Sequence, residues 1–519
     1  MLLLMLGKDW KANRKYILNE IAQDVAQEQG NRILMVPELI SHDTERRLCE
    51  SAGDTASRFA EVLSFTRLAS RVADSVGHAA PECLDDGGRV VAMASAARQL
   101  HSVLKAYASV ETRPEFLTGL VDAVDEFKRC CITSDDLRDA ASRTEGSFAQ
   151  KLEELAMLQD AYDGLCQRGK RDPRDQMTWL LGQLKDCTFA EEHVFYVDGF
   201  PDFTRQHLEI LEYLILASPK VVISLNCDRP GSRLMAFEKA GRTSLELLNI
   251  ARRLGVEVRT VVIPSTDDRL KGVAERIFQG NLEQQIFDDR LLVYRTDSVS
   301  QECTAAAQRI LDLVHSGVRF REIGVVCSDM SVYRNTVSMV FSRCGIPAYI
   351  SGTESILDKS VITTVLAAMD AALGGFEQRD VIRYIKSMLS PLELHACDKL
   401  ENYAILWSIS GSKWLAEWKN HPRGLGEAFE ERDILLLEEL NSLRNICLEP
   451  LAHLREGFRK ASNLRQQVQA LYAYLDEISL SERLGAFAEE LDLRGDNRSA
   501  QILNQLWEIL LGALEQLYD

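Results

Sequence analysis

The first 76 positions alternate between short apolar runs and helically spaced apolar sets. Residues 2–6 (LLLML) are an unbroken apolar run, residues 15–29 place Ile17, Ile21 and Val25 one turn apart, and residues 32–36 (RILMV) end at Pro37. Short apolar runs bounded by turn residues predict buried strands, and a spacing of three to four predicts an amphipathic helix. A short helix is predicted at 44–49, then a third strand at 60–64 (AEVLS) running into a helix at 65–76 (FTRLASRVADSV). Such alternation predicts a parallel sheet joined by crossover helices.

Strand signals stop between about 86 and 185. Residues 91–107, 115–130, 134–142 and 147–167 read as successive amphipathic helices, the third with Ser134, Asp135 and Asp136 as a capping signal. An all-helical insertion within an α/β domain is the simplest organisation. The sheet pattern returns at 193–197 (HVFYV), 221–225 (VVISL) and 256–263 (VEVRTVVI), with a helix at 244–254 between the last two. After a loop around Gly280 a second α/β run is predicted: strands at 291–294, 323–327 and 347–350, helices at 302–316 and 332–344. From 360 onward the pattern is helical.

Composition narrows the class. With 519 residues the chain exceeds one core, so several domain-sized units are expected. Hydrophobic content of 46% and charged content of 27% are those of an ordinary folded soluble protein. The apolar start is too short for a membrane span and lacks a preceding basic region, so a first strand is the better reading than a targeting segment. Twelve cysteines without a C-x-x-C pair predict reduced thiols in a cytoplasmic protein and no zinc site. The balance of 60 Lys and Arg against 78 Asp and Glu, a net charge of −18, argues against a protein that coats nucleic acid, but not against a local basic track.

Two segments carry candidate chemistry. A phosphate loop after a first strand needs glycines for close backbone approach, a lysine for charge and a hydroxyl for magnesium. The segment here is GKDWKANR: aligned on Gly7, the second glycine falls on Ala12, the lysine on Asn13 and the hydroxyl on Arg14, with Lys8 and Lys11 keeping charge nearby. The bulky Trp10 sits where a loop must hug phosphate. A second nucleotide element would end a strand in Asp-Glu, the aspartate for magnesium and the glutamate to activate water. In VFYVDGFPDFTRQ, Asp198 stands in place and Gly199 replaces the base. Alone, the first segment reads as an ordinary strand–helix turn, and the second reads equally as a strand C-terminus with an Asp-Gly turn. Two further strand ends, VPELISHDTE (36–45) and VLSFTRLASRV (62–72), offer Ser41 as a hydrogen-bonding group, Phe65 as a stacking ring and Arg67 as a phosphate or base contact. Phe65 reads as readily as a core residue, and Arg67 as a solvated cation.

The order and spacing of VPE, SFTRLASRV, the helical insertion, FYVDGFPDFTRQ, GIPAYISG and LENYAILWSISGSKW resemble the AddB subunits of bacterial AddAB helicase–nucleases, nearly end to end. That resemblance implies an α/β fold with two RecA-like parallel-sheet domains of superfamily 1 helicase type and large helical insertions. It divides the chain into a split first RecA-like domain (1–85 with 186–285), a helical insertion (86–185), the first part of a second RecA-like domain (286–360) and a truncated helical accessory domain (361–519). It implies an inactivated helicase-like subunit that binds single-stranded or duplex-end DNA and scans it for a Chi-type sequence, beside an active AddA motor–nuclease subunit, in repair of double-strand breaks. The matching DNA-reading positions are Ser41, Phe65 and Arg67, with Phe200, Phe203 and Thr204 on the VDGF segment; Gly7, Lys8, Asn13, Arg14 and Asp198 are the nucleotide-site remnant. Leu39 and Ser70 depart from the family's glutamine and aromatic. No cofactor is expected in this stretch, the family's iron–sulfur cluster and nuclease magnesium belonging to a C-terminal half expected after Asp519. An active ATP-driven helicase and a structural scaffold remain the alternatives.

Overall fold

The computed structural model describes residues 1–108, 113–264, 291–352, 355–426 and 428–518. The chain divides into two compact units, Met1–Asp289 and Arg290–Asp519. The expected loop around Gly280 and the expected boundary at 285/286 lie outside the described residues.

The first unit is built on six parallel strands: β1 (Leu2–Gly7), β2 (Arg32–Met35), β3 (Ala60–Leu63), β4 (Val194–Val197), β5 (Val221–Asn226) and β6 (Val258–Val262), in the order β3-β2-β4-β5-β1-β6. Because side chains alternate along a strand, one run serves two cores. Leu3 and Met5 face Ile17, Ile21 and Val25 of α1 (Trp10–Ala26) and Leu48 of α2 (Ser41–Ala52). Leu2, Leu4 and Leu6 face the opposite layer, formed by α3 (Phe65–Ser75) together with later helices of the unit. Register aligns Gly7 with Asn226 and Met35 with Val197, so the carboxyl ends of β1, β5, β2 and β4 form one edge. In open parallel sheets that edge is where ligands bind, at the point where strand order reverses.

Between β3 and β4 the chain leaves the sheet. Helices α4 (Asp86–Gln99), α5 (Pro114–Arg129) and α7 (Gly146–Cys166) form a separate core around Met93, Leu120, Val124, Leu158 and Tyr162, and α6 (Ser134–Ser142) packs against α7. Thr133 closes a reciprocal capping box with Asp136 at the start of α6. A buried charge network secures the base of this bundle. Arg89 pairs with Asp125 and Asp172, Lys128 with Asp163 (2.8 Å) and Asp175 (2.7 Å), and Tyr162 donates to Asp172 (2.6 Å). Two short helices, α8 (Gln176–Lys185) and α9 (Phe189–Glu192), lead back to β4; α10 (Arg205–Ala217) and α11 (Glu238–Leu254) then flank β5.

In the second unit the two helices expected near 302–316 and 332–344 are present, as Val299–His315 and Met330–Arg343, packed over Ala307, Ile310, Val340 and Phe341. The three strands expected around them are not formed. Residues 291–294, 323–327 and 347–350 make no ladder hydrogen bonds among the described residues, and Val293, Val326 and Tyr349 stand exposed; the latter two border an open groove of about 870 Å³. An apolar run specifies a strand only when a neighbour supplies its ladder partners. Residues 360–518 are almost wholly helical, around a core that includes Phe376, Tyr384, Trp414, Leu451 and Tyr474. Among the described residues no helix is long and apolar enough to cross a membrane.

Candidate functional site

Only Lys8 and Asp9 separate the end of β1 from the start of α1. Asp9 is the N-cap, its carboxylate accepting from the Lys11 amide at 2.9 Å. The helix therefore begins inside the stretch aligned with a phosphate loop, and brings Asn13 and Arg14 round to its buried face. The Asn13 side chain is fully buried and lies over Gly7. A Cβ added at Gly7 would stand 2.1 Å from Asn13 Oδ1, so glycine is required there to accommodate the amide. Asn13 Nδ2 sits 3.4 Å from the Gly7 and Leu225 carbonyls and from Asn226 Oδ1.

Arg14 reaches across the strand ends. Its Nε donates to Asp198 Oδ2 at 2.7 Å, with the two side chains 9% and 6% exposed. The guanidinium also lies 5.2 Å from the Trp10 ring centroid, within cation–π range. Gly199 follows with φ of +84°, and a Cβ there would meet Ile40 Cδ1 at 3.0 Å and Arg14 Nη2 at 3.2 Å. A side chain at 199 would thus be strained as well as crowded. These groups border a cleft of about 300 Å³ at the strand ends, lined by Trp10, Arg14, Asp43, Asp198, Phe200 and Asn226. Lys8, the remaining member of the nucleotide-site set, is exposed immediately after β1.

The expected nucleic-acid positions lie along the neighbouring strand ends. Arg67, partly exposed in the first turn of α3, pairs with Glu45 at 2.8 Å. Phe200 and Phe203 are half-buried with ring centroids 5.4 Å apart, and Thr204 caps α10 through the His207 amide at 3.2 Å. Two positions are not free surfaces. Ser41 is buried and its hydroxyl donates to the Glu38 carbonyl at 2.9 Å. Phe65 is 4% exposed, stacked on His207 at 4.1 Å and in edge contact with Phe200 at 5.5 Å. Of the two readings left open for Phe65, the structure has the core one: its ring supports Phe200 and offers no face of its own. Leu39, where the family's glutamine was expected, is 99% exposed.

The parts that three residues play here are not legible in the sequence. His207 stacks on Phe65, and burial together with the nearby Arg129 charge holds its imidazole down at about 4, so it packs as a neutral ring. Asn226 ends β5 beside Gly7, and Trp10, an obstacle to a phosphate loop, forms one wall of the cleft. Nothing in local sequence marks His207 or Asn226, and it marks Trp10 only as an obstacle; strand register and helix phase bring them together.

A six-stranded parallel sheet with helices on both faces, a large helical insertion and polar residues gathered at the strand ends defines an α/β protein of RecA-like fold. Residues 4–275 match the family model described as ADDB, N-terminal, and the chain belongs to this family. It is similar to proteins named as B-type subunits of an ATP-dependent helicase/deoxyribonuclease. The identity is 26% over 507 residues to that of Clostridium acetobutylicum, covering 94% of this chain and 44% of the relative. It is 25% over 535 residues to that of Clostridium botulinum strain Hall and 27% over 538 to that of Thermoanaerobacter sp. strain X514, in both cases covering 99% of this chain and 46% of the relative. The chain spans about half the length of the curated relatives it matches.

Proposed function

We propose that this chain is a helicase-like subunit without ATP turnover that binds single-stranded DNA, beside a motor subunit of AddA type, in a helicase–nuclease complex of DNA repair. The observation that carries the proposal is the Arg14–Asp198 ion pair. In a working site the hydroxyl at the Arg14 position and the aspartate at the strand end jointly hold magnesium. Here a guanidinium spans the same two positions and takes up the carboxylate. The surroundings agree. A two-residue connection has no run of backbone N–H groups to close on phosphates, Asn13 fills the space over Gly7, and Asp9 sets a carboxylate at the helix start. Gly199 has no side chain to accept a proton from water. A magnesium–triphosphate does not fit these residues.

DNA binding rests on Arg67, Phe200, Phe203 and exposed Leu39 at the strand-end edge, with Ser41, Phe65 and Thr204 holding backbone and rings behind them. Scanning for a Chi-type sequence is part of the same proposal, with this edge as the reading surface. Fluorescence anisotropy with labelled single-stranded oligonucleotides across a salt series tests it. Phosphate contacts make log affinity fall linearly with log salt, by about 0.7 per contact, and Arg67→Ala should weaken binding to all sequences alike. Scanning further requires one oligonucleotide sequence to bind more tightly than its permutations. A scaffold without DNA contact is the second reading, favoured by the burial of Ser41 and Phe65 and by the Arg67–Glu45 pair. Absence of binding at low salt would favour it.

A further inference from the structure

The cleft between Trp10 and Asn226 has polar and aromatic walls, yet the phosphate chemistry expected at this place in the fold has no use for it. We propose that it is a nucleobase pocket, taking one base of the same DNA strand that runs over the neighbouring strand ends; the proposal rests on the DNA-binding reading above.

Four observations support it. First, the groups that would draw a phosphate inward are spent. Arg14 is committed to Asp198, and Asp9 already satisfies the Lys11 amide at the start of α1. Second, the walls suit a flat ring. Trp10 is 43% exposed, a surface on which any base stacks, and the buried Arg14 guanidinium packs beside its ring. Third, Asn226 brings an amide to the cleft. Its Oδ1 faces Asn13 Nδ2 at 3.4 Å, which leaves its own N–H groups as donors, while Asp43 and Asp198 supply acceptors. Asparagine and carboxylate groups read base edges in this way. Fourth, the charges are sorted by depth. Arg46 and Arg47 pair with Asp43 of the cleft wall at 2.7 Å; unlike buried Arg14 they are exposed or partly so, and a phosphodiester can meet them while the base lies inside.

Continuity with the DNA surface comes through Phe200. It lines the cleft, rests on buried Phe65 and touches Phe203, so a strand crossing Phe200 and Phe203 passes the mouth of the pocket. A cleft of about 300 Å³ is small for a nucleoside triphosphate and ample for a base. A free nucleotide could supply the same ring, and the two sources are separated below.

The 519-residue chain and its Trp10→Ala, Trp10→Phe and Asn226→Ala variants are titrated into labelled single-stranded DNA at one salt concentration. Loss of the stacking surface in Trp10→Ala is expected to weaken binding roughly five- to a hundredfold. Trp10→Phe should stay within about threefold of wild type, because a phenyl ring still stacks, and Asn226→Ala should shift the preference among oligonucleotide sequences. Tryptophan emission supplies the independent readout: quenching by oligonucleotide in the wild type should be reduced in Trp10→Phe. Equal affinity of wild type and Trp10→Ala, with wild-type binding intact, overturns the pocket alone. No wild-type binding at all overturns the DNA reading and the pocket with it. Saturable Trp10-dependent quenching by free deoxyadenosine monophosphate, with no loss of oligonucleotide affinity in Trp10→Ala, overturns the assignment to the strand.

Discussion

Arg14 shows how one residue sets the character of a site. Its partner is 184 positions away in sequence, so alignment marks Arg14 as a departure from a nucleotide motif and Asp198 as retained, but not the two as a pair. Removing one member of a buried ion pair leaves the other charge without compensation. Arg14→Ala should therefore lower the unfolding free energy by about 3 kcal/mol. In denaturant titrations the Arg14→Met/Asp198→Leu double variant should lose less than the sum of the two singles, by at least about 1 kcal/mol; strict additivity would mean the contact carries no coupling. His207 provides a pH test. Its folded pKa, near 4, lies below the ordinary 6.5, so between these values the unfolded chain binds the extra proton. The contribution is whole above about pH 6.5 and is lost as pH falls toward 4, by up to about 3 kcal/mol. His207→Gln should flatten that part of the stability profile. Motif reading has no means of finding this histidine, because its partner Phe65 lies on another helix and only the fold stacks them.

Elements are more legible than contacts. Strands at 2–6, 32–36, 60–64, 193–197 and 221–225 stand within a residue or two of β1 to β5, since buried parallel strands read as continuous apolar runs. The helix at 134–142 matches α6, and those at 115–130 and 147–167 shift by a residue or so in α5 and α7. The apolar spacing starts α1 five residues late. Its first turn, WKAN, carries no apolar periodicity, and the Asp9 cap that begins it sits in the stretch aligned with a phosphate loop. The helices at 176–185 and 205–217 are not anticipated, and the three strands expected in the second unit lack partners, which periodicity cannot foresee. Close packing inside the first unit makes one prediction counter to propensity. Alanine normally improves on glycine within a helix, but a Cβ at Gly241 of α11 would stand 2.4 Å from the Ser232 carbonyl oxygen and 2.7 Å from its nitrogen. Gly241→Ala should therefore destabilise by about 1–3 kcal/mol, seen as a lower Tm; an unchanged or raised Tm would refute the tight Ser232–Gly241 crossing.

For the whole molecule, a net charge of −18 suits a protein whose contacts with DNA are local rather than spread over its surface. The strand-end edge of the first unit brings together the closed phosphate position, the aromatic cluster around Phe200 and the cleft beside Trp10. In the proposed reading, loss of nucleotide turnover leaves this edge free to read DNA. The most direct measurement is steady-state ATP hydrolysis by the 519-residue chain with magnesium and saturating single-stranded DNA, alongside Asp198→Asn. The account predicts no turnover above the protein-free blank for either protein. Magnesium-dependent turnover in the wild type that disappears in Asp198→Asn would contradict it.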